Sequence, residues 1–203
     1  SKIQNYNDFK TFIPIRDYEG LKPYVEQIID GKENVLWPGK PLYFSKTSGT
    51  TSGEKYIPIS LEGLPNHIKA ARDAMLSYIA ETKKAGFVDG KMIFLQGSPE
   101  LSKTGSILTG RLSGIVAHHI PAYLKKNRLP SYKTNCISDW EKKVDAIVDE
   151  TIFQKMSVIS GIPPWVQMYF EKLKKKSGLL IKDLFPKFEL FIYGGVNYAP
   201  YKK

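Results

Sequence analysis

Only one cysteine, Cys136, stands in 203 residues, which excludes an intramolecular disulfide and a cysteine-built zinc cluster within this sequence. Its neighbours, Thr134-Asn135-Cys136-Ile137, resemble no nucleophile setting, so it reads as a small, half-buried core residue. Long apolar runs are missing too: no stretch approaches the roughly 20 residues of a membrane span, and residues 1–10 lack the apolar region of a signal peptide. A soluble cytoplasmic protein with no membrane partner is the expectation. Repeats, low-complexity tracts and Gly/Ser linkers are absent, so one continuous domain, or part of one, is the simplest organisation. Histidine is scarce, and His118 and His119 are adjacent rather than at the i, i+4 spacing that puts two ligands on one helix face. With His67 among polar neighbours, no protein metal site is expected.

Charge is lopsided rather than lacking. The net charge of +10 invites a nucleic-acid reading, because Lys and Arg supply most non-specific affinity for phosphate backbones. The basic residues are scattered, however, and the one dense run, Lys172 with Lys174, Lys175 and Lys176, ends a predicted helix, where cations suit the negative end of the dipole. No nucleic-acid partner is expected. With 42% hydrophobic and 25% charged residues, the composition is that of a globular chain with enough length for a sizeable core.

Helices are marked by caps and by period. Asp17 caps a stretch whose apolar side holds Leu21, Tyr24, Val25 and Ile28, with Gly31 past its end. A second enters at Pro65, repeats Ile68, Ala71, Met75, Leu76 and Ile79, and stops near Gly86. Ser138 with Glu141 forms a capping box before Trp140, Val144, Ile147 and Val148. Pro163 and Pro164 open a last helix that closes at Gly178. Between these lie three continuous apolar runs, residues 92–95, 156–159 and 190–193, of the kind that form strands buried on both faces. Glycine follows each within two residues: Gly97, Gly161, and Gly194 with Gly195. In open α/β sheets the ligand crevice lies outside the carboxyl ends of the strands, and glycine there allows close backbone approach. The fold class is therefore α/β, with a mostly parallel sheet flanked by helices.

The stretch richest in chemistry is Ser45-Lys46-Thr47-Ser48-Gly49-Thr50-Thr51-Ser52-Gly53-Glu54-Lys55, between the strand-like residues 41–44 and 56–59. Two residues would connect such strands at less conformational cost. The loop instead offers many N–H and hydroxyl donors, with Lys46 and Lys55 adding positive charge, and so suits a polyphosphate, whose oxygens only accept. It is not a Walker A loop: Glu54 stands where that pattern needs its second glycine, and a strand rather than a helix follows. A polar surface loop without a ligand is the competing reading.

Thr47, Ser48, Gly49, Thr50, Thr51, Ser52 and Gly53, with Lys55 and the Ile57-Pro58 ending, resemble the phosphate loop of the acyl-adenylating superfamily. Asn34-Val35-Leu36-Trp37-Pro38, Gly110-Arg111-Leu112-Ser113-Gly114-Ile115, Pro121-Ala122-Tyr123 and Tyr193-Gly194-Gly195-Val196-Asn197 narrow the resemblance to the auxin-responsive acyl-acid amido synthetase family, and look like its bacterial members. The resemblance implies an ATP-dependent ligase that uses Mg²⁺, activates a small carboxylic acid as its acyl-adenylate and conjugates it to an amino acid. It implies an ATP role for the loop from Thr47 to Lys55, an adenine-side role for Gly194 and Gly195, and an acyl-substrate role for Arg111. A plain strand-to-helix turn would account equally for the two glycines, and a helix cap or surface pair for Arg111. Trp165 and Tyr198 read either as lining an acyl pocket or as core.

The resemblance also implies parts that residues 1–203 do not hold: a Tyr-x-Ala-Ser-Glu type motif whose glutamate helps to hold Mg²⁺, an aspartate for the ribose, and a mobile carboxyl-terminal domain with a lysine. The expectation is a partial amino-terminal adenylation domain over 1–203, with its central sheet incomplete, no complete catalytic set, and Ser1 in place of an initiating Met. A nucleotide-binding module without catalysis is the alternative.

Overall fold

The structure is a computed structural model and describes residues 2–47 and 53–202. Along the chain run α1 (Tyr6–Phe12), α2 (Tyr18–Ile29), β1 (Tyr43–Thr47), β2 (Lys55–Ile59), α3 (Leu64–Thr82) and β3 (Lys91–Phe94). Next come β4 (Ser102–Thr104), β5 (Ile107–Arg111), α4 (Leu112–His118), α5 (Ala122–Lys125), β6 (Arg128–Leu129) and α6 (Tyr132–Asn135). They are followed by α7 (Trp140–Thr151), β7 (Met156–Ser160), α8 (Pro163–Ser177), α9 (Ile181–Leu184) and β8 (Leu190–Ile192). These elements form two compact units, Ser1–Leu61 with Ser102–Thr109, and Glu62–Leu101 with Gly110–Lys203.

In the first unit a four-stranded sheet has the order β2-β1-β5-β4, with β1/β2 and β4/β5 antiparallel. Asp17 caps α2 as its sequence predicts, accepting the Gly20 N–H at 2.9 Å, and α2 buries Val25 and Ile28 against Phe44 and Ile107. Gly105 is required where the β4–β5 turn meets this helix. Its φ of +58° favours glycine, and an added Cβ would lie 2.4 Å from the Ile29 carbonyl oxygen.

In the second unit β6-β3-β7-β8 form a parallel sheet. Alternate residues face opposite sides of a strand, and both faces are covered. Ile93 and Ile159 join Val144, Ile147 and Val148 of α7 and Val166, Tyr169 and Leu173 of α8. On the other face Met92 and Val158 pack with Phe87, and Met75, Tyr78 and Ile79 of α3 close over them. That double burial is why the three strands read as continuous apolar runs rather than as alternating ones. The expectation of a mostly parallel sheet holds for this unit only. The chain's strands divide between two sheets, and the first is built from antiparallel pairs because its hairpin connections are too short for a crossover.

Two local expectations meet different fates. Pro163 and Pro164 do open α8, and Gly178, at φ +72°, closes it. The cap of α7 is Asp139, accepting the Lys142 N–H at 2.8 Å, and not Ser138. With the helix starting one residue later, Glu141 falls at the second helical position, too early to close a capping box. Lysines of the basic run reach α7: Lys172 pairs with Asp145 and Lys176 with Asp149 across the α7–α8 face.

Tyr169, wholly buried in α8, places its hydroxyl 2.7 Å from Thr151 Oγ1, which donates to the Ile147 carbonyl. Burial pushes the Tyr169 phenol well above its ordinary range. A folded-state pKa above the unfolded value of about 10 leaves stability intact below that pH and erodes it above, where the unfolded chain loses protons first. Urea unfolding should therefore show stability falling above about pH 10. Tyr169→Phe should flatten that fall while costing about 1 kcal/mol at neutral pH for the lost hydrogen bond.

Candidate functional site

The strands β1 and β2 pair from Tyr43↔Ile59 to Thr47↔Lys55, which leaves residues 48–54 as their connection. Of the loop residues singled out in the sequence, Ser48, Gly49, Thr50, Thr51 and Ser52 lie outside the described residues. Thr47 ends β1 and Lys55 opens β2. Gly53 adopts φ +80° with open space where a Cβ would stand. The base of the hairpin is anchored: Tyr18, the first residue of α2, accepts the Tyr56 N–H on its hydroxyl at 2.8 Å, and Lys55 Nζ sits 5.2 Å above the Tyr18 ring. Lys46 Nζ pairs with Glu54 at 3.2 Å. The hairpin thus brings two cations to the roots of a hydroxyl-rich loop, one of them beside a carboxylate.

In the second unit, an apolar cavity of about 460 Å³ lies between α3 and the sheet. Met92 and Phe94, Val158 and Ser160, and Leu190 and Ile192 form its floor, so that the last residue of each of β3, β7 and β8 lines it. It therefore extends along one sheet face to the carboxyl ends of three parallel strands, the position where α/β folds bind ligands. Residues of α3 form another wall, among them Ala71 and Met75. Among the described residues, two guanidinium groups are the cations in this apolar lining, Arg72 from α3 and Arg128 from β6. Arg72 is exposed and bonded to its neighbour Asp73 at 2.9–3.0 Å. Such a surface pair is worth little, so the guanidinium can exchange it for a ligand carboxylate. Arg128 lies 5.0 Å over the Phe94 ring, and burial lowers its pKa.

Arg111, the residue singled out for the acyl acid, is the N-cap residue of α4 and is exposed. Its side chain crosses Gly97, where an added Cβ would lie 2.5 Å from Arg111 Cδ. It does not line the apolar cavity. Gly114 of the same segment lets α4 rest on the loop between β3 and β4, since a Cβ there would lie 2.8 Å from the Ser98 carbonyl oxygen. Gly194 and Gly195 follow β8 in an exposed turn, Gly195 at φ +83°. Trp165 stacks at 4.1 Å on Trp140 against the core, and Tyr198 at 4.5 Å on Tyr193. Neither lines the cavity. Among the described residues no group of three or more His, Cys, Asp or Glu could hold a metal ion. None of the described helices is long and apolar enough to cross a membrane.

Sequence reading missed three cations. Two of them line the apolar cavity: Arg72, on α3 beside Ala71, and Arg128, on a two-residue strand with no periodic signal. Lys143 is the third. It is 2% exposed, and its ammonium donates to the carbonyls of Gln96 at 2.9 Å and Asn135 at 2.6 Å. Burial holds its pKa below the ordinary lysine range, with Cys136 opposing and Arg111 adding to the shift. This clamp ties the loop after β3 to the end of α6. Lys143→Met leaves both carbonyls without that donor and should destabilise the chain by about 1–3 kcal/mol in urea unfolding.

Comparison with solved structures gives the fold. The chain aligns over 85% of its length, at a TM-score of 0.60 and 16% identity, with 31% of the chain in a structure of AtGH3.15 acyl acid amido synthetase in complex with 2,4-DB. A second structure, of GH3.15 acyl acid amido synthetase, aligns at a TM-score of 0.63 and 14% identity. The fold is therefore an α/β fold of the kind seen in those two structures, with helices flanking a sheet that is only partly parallel. The particular family follows from sequence: residues 1–146 match the model of the GH3 family N-terminal domain, and the chain belongs to the GH3 family. It is 31% identical over 103 residues to a jasmonoyl–L-amino acid synthetase, GH3.5, of Oryza sativa subsp. japonica, covering 49% of this chain and 17% of that protein. It is also 32% identical over 111 residues to an indole-3-acetic acid-amido synthetase, GH3.17, of Arabidopsis thaliana, covering 53% of this chain and 18% of the relative. The chain thus matches less than a fifth of the length of these plant relatives.

Proposed function

We propose that the protein is an ATP-dependent acyl-acid amido synthetase, and that residues 1–203 form a partial adenylation domain supplying its phosphate loop and its acid pocket. The carrying observation is the apolar cavity at the carboxyl ends of β3, β7 and β8 with Arg72 at its wall. An apolar chamber with a guanidinium suits a hydrophobic carboxylic acid: the hydrocarbon leaves water and the carboxylate gains a charge-assisted bond. Names of the relatives point the same way, since jasmonic and indole-3-acetic acids are largely apolar carboxylic acids.

In the first step a carboxylate oxygen bonds to the α-phosphorus of ATP as the bond to the β-phosphate oxygen breaks, giving acyl-adenylate and pyrophosphate. The amine of an amino acid then bonds to the acyl carbon, AMP leaves with the carboxyl oxygen, and the amine's proton is released. Loop residues Thr47, Ser48, Gly49, Thr50, Thr51, Ser52 and Gly53, with Lys55, would donate to the phosphates, and Mg²⁺ bound with ATP would supply further neutralisation of the pyrophosphate charge. Gly194 and Gly195 are proposed on the adenine side. Arg111 is proposed to assist the acid from the same carboxyl-end edge, with Arg72 as its principal partner. The substrates are small molecules and the setting cytoplasmic, and the segments that look like bacterial members support a bacterial-type enzyme. For residues 1–203 by themselves the reading is nucleotide and acid binding without amide formation.

The test is to supply the whole protein with MgATP, a panel of aryl and alkyl carboxylic acids and a mixture of amino acids. AMP and pyrophosphate should appear only with a matching acid. Failure to release either product across the panel would overturn the ligase reading.

A further inference from the structure

The two ammonium groups at the root of the β1–β2 hairpin are in opposite states. Lys55 Nζ lies 5.2 Å above the Tyr18 ring, and among the described residues no carboxylate forms an ion pair with it. Lys46 is already taken. Its Nζ is 3.2 Å from Glu54 Oε2, and the Tyr56 hydroxyl donates to that same oxygen at 3.1 Å. Tyr56 stands directly opposite Lys46 in the strand register, where cross-strand side chains are close enough to touch. Its ring centroid is 5.7 Å from Lys46 Nζ. Lys46, Glu54 and Tyr56 thus form one cluster at the foot of the loop.

The charged members of this cluster differ in how firmly they are held. The Lys46 side chain is 30% exposed and the Glu54 side chain 60%, so the cation lies against the Tyr56 ring while the carboxylate stands mostly in water. Releasing such a carboxylate costs little, because exposed ion pairs add little to stability. Carboxylate and phosphate oxygens are both acceptors of charge-assisted bonds from the same ammonium donors. They compete for Lys46, and a carboxylate left beside a bound polyphosphate also repels it.

We propose that Lys46 is a phosphate-binding cation and that Glu54 is its built-in competitor, which occupies Lys46 in the empty site and lowers the affinity for nucleotide. The inference rests on the phosphate-loop reading of this hairpin. It gives Glu54 a role opposite to that of the donors around it: they attract the phosphates, and Glu54 limits how tightly they hold.

Calorimetric titration of MgATP into the 203-residue chain and its variants tests this. Glu54→Gln keeps the size of the side chain and removes its charge. It should bind MgATP about 3- to 10-fold more tightly, the worth of an exposed ion pair and the relieved repulsion together, with Tm unchanged within a few degrees. The same gain should persist when Lys55→Gln is also present. With Lys46→Gln it should fall to about twofold or less, the non-additivity expected of two residues that share one interaction. Equal gains in all three backgrounds would mean diffuse charge repulsion and would overturn the proposal. Unchanged or weaker MgATP binding by Glu54→Gln would overturn it as well, and a loss seen with MgATP but not with ATP in EDTA would assign Glu54 to the metal ion instead. In each of these cases binding by the unaltered chain leaves the phosphate-loop reading standing. Absence of saturable MgATP binding by both the unaltered chain and Glu54→Gln would overturn that reading and the proposal with it.

Discussion

Replacing residues 48–54 by Asn-Gly is expected to weaken MgATP binding at least about a hundredfold, the loss of two or more charge-assisted hydrogen bonds, while the unfolding midpoint stays within a few degrees. The two expectations separate because the hairpin does not need the long loop. Thr47 pairs with Lys55, so a two-residue type I′ turn can close the same register at lower entropic cost. The base remains tied by the Tyr18–Tyr56 bond. What disappears is the set of hydroxyl and N–H donors, together with Glu54, whose exposed pair with Lys46 contributes little to stability. Titration calorimetry alongside thermal unfolding checks both halves. A variant that still binds MgATP within a few fold would make the loop a polar connection and nothing more.

The second large effect is expected at the apolar cavity. Ala71→Trp puts an indole into a chamber of about 460 Å³ from a side of α3 that already lines it, and should abolish binding of hydrophobic carboxylic acids. Arg72→Met should weaken the same acids about 10- to 150-fold, the value of one charge-assisted bond, yet leave the corresponding primary alcohols unaffected. That contrast distinguishes a carboxylate partner from a side chain that only shapes the wall. Fluorescence competition with indole-3-acetate as the reporter acid gives the comparison. Arg111→Met should have a smaller effect than Arg72→Met, since Arg111 lies across Gly97 and does not line the chamber.

Much of the fold is written in local signals. Asp17, the Pro163-Pro164 pair and Gly178 mark helix ends by the hydrogen bonds they make or the φ they allow, and these depend on a few neighbouring residues. The three apolar runs become parallel strands because helices cover both of their faces. The displacement of the α7 cap by one residue shows the limit of such signals: Ser138 and Asp139 are both good caps, and only the packing of Val144 and Ile147 decides which begins the helix. Division into two sheets was not legible, because β4 and β5 are short and carry exposed residues that give no continuous run.

The candidate site divides in the same way. The loop announces itself because its composition is excessive for a turn. Arg72 and Arg128 do not, because a cation becomes a ligand group only through what surrounds it. That surrounding is assembled from α3, β3, β6, β7 and β8, elements that no window of sequence joins. Lys143 was hidden for a related reason: in a helix otherwise reading as amphipathic it occupies a buried position, satisfied by two carbonyls from distant segments.

The most direct measurement of the central claim is a calorimetric titration of MgATP into the 203-residue chain, repeated with a saturating hydrophobic carboxylic acid. The account predicts saturable one-to-one nucleotide binding that the Asn-Gly replacement of residues 48–54 removes. Absence of any saturable heat from a chain shown to be folded would contradict it.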